Sequence, residues 1–122
     1  MTTVRTGTVF LGALLGALLL AACGGPSEAE REQAFVDAIA EHEGVDLSEE
    51  WLTRDTLAMG SQPCRAMAGI DGVEGDGGES AFARWLAEDE EYALVVWDAA
   101  VEHLCPDQAD RYAELRDQAG VG

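Results

Sequence analysis

One boundary divides this chain more sharply than any helix or turn signal: no acidic residue precedes Cys23, and all 24 follow it. Residues 9–22 contain no charge at all, and the only charged residue of the first 22 is Arg5. From Cys23 onward there are 6 Arg and no Lys, so that part has a net charge of −18 against −17 for the whole chain. An acidic segment of this size has room for one small core and must keep its carboxylates in water. With 48% hydrophobic residues the chain is too apolar for a disordered acidic tail. Nucleic acid is excluded as an expected partner, because phosphate contacts need clustered Lys and Arg.

The leader has a short n-region with Arg5, an apolar run from Val9 to Leu20, and then Leu20, Ala21, Ala22 and Cys23. Gly12 and Gly16 interrupt the run, and Gly24, Gly25 and Pro26 follow it, which leaves it short of the ~20 apolar residues of a bilayer span. The layout is that of a cleaved export signal. The closing tetrad resembles a bacterial lipobox, which implies cleavage before Cys23 and a diacylglycerol and acyl lipid on its thiol. The alternative is an ordinary secretory signal cut at Ala21 and Ala22. On the lipobox reading, residues 1–22 are signal peptide, 23–27 a lipid-anchored linker and 28–122 an acidic domain on the extracytoplasmic face of the cell membrane. Two or three acyl chains make such an anchor effectively permanent.

Setting Cys23 aside leaves Cys64 and Cys105. In an oxidising compartment they can pair, closing a loop of about 40 residues. Two buried thiols, or two metal ligands joined by a histidine, are the alternatives, although no second cysteine stands near either.

Helical signals recur along the acidic part. Ser27 with Glu30 is a capping box, and Phe35, Ala38, Ile39 and His42 share a helical face before Gly44. Ser48 offers another helix start, with Trp51 and Leu52 to cover the core. Leu57, Gly60, Cys64 and Met67 continue a helix that Pro63 is expected to break. Gly69 to Glu79 holds five glycines and four acids in eleven residues and reads as a mobile loop. Ser80 is expected to cap a short helix carrying Phe82, Trp85 and Leu86. The longest helix is expected from Asp89 to Leu104, burying Tyr92, Val95, Val96, Ala99, Ala100 and Leu104, and a last one follows Pro106 with Ala109, Tyr112, Ala113 and Leu115. No alternating strand pattern competes. The expected fold is all-α, a small bundle of four or five helices.

The mature part, from Glu32 to Pro106, resembles the domain of unknown function 732 family, small exported or lipid-anchored helical domains of mycobacteria and related actinobacteria. The resemblance rests on Phe35 with Ile39 and Gly44, on Leu57, Ala58 and Gly60 leading to Cys64, and on the closing Ala100, Leu104, Cys105 and Pro106. It implies a disulfide between Cys64 and Cys105 and brings no enzymatic activity. The absence of Lys with abundant Ala and Gly suits a GC-rich actinobacterial or actinophage genome.

Candidate sites are sparse. His42 and His103, flanked by Glu43 and Glu102, could meet at a metal if the first and fourth helices pack side by side; the plainer reading is two surface histidines. Asp71, Glu74, Asp76 and Glu79 could gather around calcium, but the loop fails the helical-loop calcium pattern. No nucleophile elbow surrounds Ser27, Ser48, Ser61 or Ser80. Trp51, Trp85 and Trp97 read as core and rim. The expectation is a non-enzymatic binding module without metal or cofactor, attached to the membrane by its lipid. Its acidic surface would meet a basic or amphipathic envelope protein, in phage exclusion if the gene is a phage's. A metal- or small-ligand-binding protein is the alternative.

Overall fold

The computed structural model describes residues 25–70 and 76–121. Among them the chain is all-α: α1 (Glu28–Glu43), α2 (Glu50–Ala68), α3 (Glu79–Glu88), α4 (Glu90–Ala99) and α5 (Ala109–Ala119). A π-helical turn, Ala100–Leu104, extends α4, and a 3-10 turn, Pro106–Gln108, leads into α5.

The start of α1 follows from its cap. The Ser27 hydroxyl oxygen accepts the Glu30 N–H at 3.1 Å, and Gly44, at φ 69°, closes the helix with its N–H on the Ala40 carbonyl. Phe35, Val36 and Ile39 are buried. His42, expected on that face, is exposed, because the last turn of α1 runs past the core.

Pro63 does not break α2, which is one element of 19 residues. An interior proline forfeits one hydrogen bond and crowds the preceding turn. Here its ring is among the most deeply buried side chains, and Cys64 beside it is cross-linked, so packing and the covalent tie hold the turn helical. Ser48 does not cap this helix: its N–H donates to the Asp46 carboxylate at 2.9 Å, and Glu49 holds the cap position. Trp51 does not cover the core but is 53% exposed, its indole N–H donating to Glu49 at 2.7 Å.

The α3 cap also differs from expectation. Gly78, not Ser80, holds the cap position, and Asp76 two residues before it covers the open end: its carboxylate accepts the N–H groups of Gly78 at 3.1 Å and Ser80 at 3.0 Å, and the Ser80 hydroxyl as well. Arg111 of α5 secures this corner by donating to the carbonyls of Gly77 at 2.9 Å and Asp76 at 3.1 Å.

Asp89 caps α4 through the Tyr92 N–H at 3.1 Å, and Glu90 and Glu91 follow at the positive end of the helix dipole. The continuous run from Glu90 to Leu104 is shorter than α2, so the expected longest helix is not the longest. It is the central one. Val96, Ala99 and Ala100 pack with Phe35, Val36, Ile39 and Leu47 on one side. Trp97 and Val101 pack with Ala66, Met67, Phe82, Tyr112 and Leu115 on the other. Burial of Ala93 and Trp97 therefore adds to the predicted face, while Tyr92, Val95 and Leu104 are only half-buried. In α5, Tyr112 and Leu115 reach the core and Ala109 and Ala113 are exposed. The Cys64–Cys105 disulfide spans 41 positions and ties α2 to the end of the π-helical turn.

Candidate functional site

Helices α1 and α4 run antiparallel. The end of α1 meets the start of α4, where Tyr92 is held above the usual phenol range by burial and then by the Glu43 charge. The start of α1 meets the π-helical turn, and there a cleft of about 340 Å³ opens. Its floor is apolar: Leu57 and Cys64 from α2, Leu104 and Cys105 beyond α4, with Ile70 at one edge.

The π-helical turn shapes one wall. Its wider ring is closed by the Cys105 N–H on the Ala100 carbonyl at 2.9 Å, five residues back. The consecutive residues His103 and Leu104 of this turn and Cys105 at its end line the cleft.

The polar groups of the cleft are unusual for so acidic a domain. Arg31 and Arg65, two of the six arginines after Cys23, and His103, one of the two histidines, all line it. The Arg31 Nε is buried and has no hydrogen-bond partner among the described residues. Among the described residues neither guanidinium is ion-paired, even though Glu28 lies three residues before Arg31, at helical pairing distance. A buried donor left unmade costs roughly 1–3 kcal/mol. Three acids share the lining: Glu28 and Asp107 are exposed, as Arg65 is, and Glu32 is half-buried, as Arg31 is. His103 Nε2 lies 3.7 Å from the Glu102 carboxylate. The Ser61 hydroxyl donates to the Ala58 carbonyl at 2.8 Å, so it is committed to its own helix. The cleft thus gathers two guanidinium groups, an imidazole and three carboxylates around an apolar floor.

Of the residues singled out from the sequence, the structure joins Cys64 to Cys105. It does not join His42 to His103. His103 shares the cleft with Glu32, and His42 lies ten residues further along α1, about 15 Å by helical rise. The imagined metal site of His42, Glu43, Glu102 and His103 is thus not assembled, and among the described residues no group of three or more His, Cys, Asp or Glu side chains could hold a metal. Asp76 is taken up by its capping bonds, chiefly the Ser80 hydroxyl, which hold its carboxyl below the usual carboxylate range. Asp71 and Cys23 lie outside the described residues. Trp97 is fully buried, and Trp85 is half-buried and stacked on Tyr92 with ring centroids 6.5 Å apart.

The sequence reading missed the cleft. Arg31 and Arg65 look like ordinary charges on amphipathic helices, and no glycine or proline within residues 100–104 signals the π-helical turn. None of the described helices is long and apolar enough to cross a membrane. Comparison with known proteins finds no matching family model, no matching curated protein and no matching solved structure.

Proposed function

We propose that this chain is the precursor of a lipid-anchored protein of the cell envelope, similar to the domain of unknown function 732 proteins, and that it acts by binding rather than by catalysis. The observation that carries the reading is the tetrad Leu20, Ala21, Ala22, Cys23 set directly ahead of a capped helix. Only Gly24, Gly25, Pro26 and Ser27 separate Cys23 from α1, a reach of at most ~18 Å. A lipid on Cys23 would hold the bundle at the membrane surface with the start of α1, and therefore the cleft, at its near end.

A disulfide across the core supports an oxidising compartment. The strong negative charge would keep the domain off anionic headgroups and favour a basic or amphipathic protein partner. The cleft supports a second reading, in which the domain also takes a small ligand.

Replacing Cys23 with Ala tests the anchor. Cell fractionation should then find the protein released from membranes, and mass spectrometry of the parent protein should find an acylated Cys23 as its first residue. Unchanged membrane partition of the variant would overturn the reading. Cross-linking in intact cells tests the protein partner, which should be lost in high salt if charge selects it.

A further inference from the structure

We propose that the cleft between α1, α2 and the π-helical turn binds an aliphatic carboxylate, with the carboxylate on Arg31 and Arg65 and the hydrocarbon on the floor of Leu57, Leu104 and the Cys64–Cys105 disulfide. The volume of about 340 Å³ lies at the small end of the range for small-molecule sites. The assignment is independent of the lipid anchor and adds a ligand to the protein partner proposed above.

Three observations select this chemistry. The Arg31 guanidinium belongs to the lining without an ion pair among the described residues, and its buried Nε has no acceptor among them. Arg65, on α2, lines the same cleft and offers a second guanidinium unpaired among the described residues, which an anion can meet by charge-assisted hydrogen bonds. His103, on the third wall, adds a ring nitrogen to the same rim.

Beneath these groups the floor is hydrocarbon and sulfur. A hydrated inorganic anion would satisfy the guanidinium groups and leave that floor wet, whereas an alcohol of the same length would cover the floor and leave the charges unmatched. A carboxylate with a short chain does both. The lining acids Glu28, Glu32 and Asp107 disfavour ligands with several negative charges, which points to a monoanion.

The test uses the full chain labelled with nitrogen-15 arginine in nanodiscs of neutral phosphatidylcholine, observing Nε–H resonances by NMR. The Arg31 resonance is identified by its loss in Arg31→Lys. Octanoate should shift it saturably, while acetate and 1-octanol should each bind at least about tenfold more weakly, since each lacks one half of the match. Arg65→Gln, a change at an exposed side chain, should weaken octanoate about tenfold and leave the other arginine resonances in place. Equal effects of octanoate and 1-octanol would overturn the role of the charge. Equal effects of octanoate and acetate would overturn the role of the floor. No shift with octanoate would overturn the site altogether. The same shift in nanodiscs of phosphatidylglycerol without octanoate would reassign the cleft to a lipid headgroup and likewise overturn the proposal.

Discussion

Gly60→Ala should destabilise the bundle, although alanine is the better helix former. Gly60 is buried in the middle of α2, where α1 crosses it, and a Cβ at that position would run into the ring of Phe35. In an exposed helix the substitution would stabilise by ~1 kcal/mol. Here Phe35 is 0% exposed and packed with Val36, Ile39, Val96 and Ala100, so its rigid ring has no room to withdraw. Forcing an extra methyl into such a core costs about 1–3 kcal/mol, and the directness of the overlap puts this case at the upper end. The net loss should be ~2 kcal/mol, or roughly 10 °C in Tm for a domain of this size. Urea unfolding followed by the fluorescence of buried Trp97 measures it. Phe35→Leu provides the control: it removes the ring atoms that the new methyl would meet, so Gly60→Ala in that background should be neutral or stabilising. The double-mutant cycle should therefore show a coupling of ~2 kcal/mol. A stabilised single variant, or additive effects within ~0.5 kcal/mol, would refute the helix crossing described here.

Two further outcomes are expected. Removing the disulfide with Cys64→Ser and Cys105→Ser should lower stability by ~4 kcal/mol from the freed loop of 41 positions, seen as a Tm lower by roughly 20 °C, and an unchanged Tm would show that the tie contributes nothing to the fold. Tyr112 donates its hydroxyl proton to Asp98, and burial, followed by that bond, raises its pKa above the ordinary 10.0. Its contribution is complete below pH 10 and disappears as pH rises further through the folded value, because the unfolded chain ionises first. Stability measured from pH 9 to 12 should fall more steeply in the parent protein than in Tyr112→Phe, and parallel curves would refute the assignment.

The parts of this protein that sequence alone determined are those governed by contacts within one or two helical turns. Ser27 and Gly44 bound α1 because a cap needs only a side chain and the backbone beside it. Asp89 marks the start of α4 for the same reason, and the absence of period-two alternation excludes a sheet. Cys64 and Cys105 were open as a pair once Cys23 was set aside, and their meeting depended on the packing of α2 against the π-helical turn. Where a choice depended on neighbours distant in sequence, local rules misjudged it. Pro63 stays inside a helix because burial and the adjacent cross-link outweigh its lost hydrogen bond. Gly78 and the Asp76 carboxylate, rather than Ser80, close the start of α3, at a corner to which Arg111 donates from another helix. Trp97 becomes the centre of one core half because α4 is covered on two sides, which no single amphipathic stripe reveals. The cleft belongs wholly to the tertiary level. An arginine on a helix surface is hydrated in any local reading, and only where α1, α2 and the π-helical turn converge is the Arg31 Nε buried without an acceptor among the described residues.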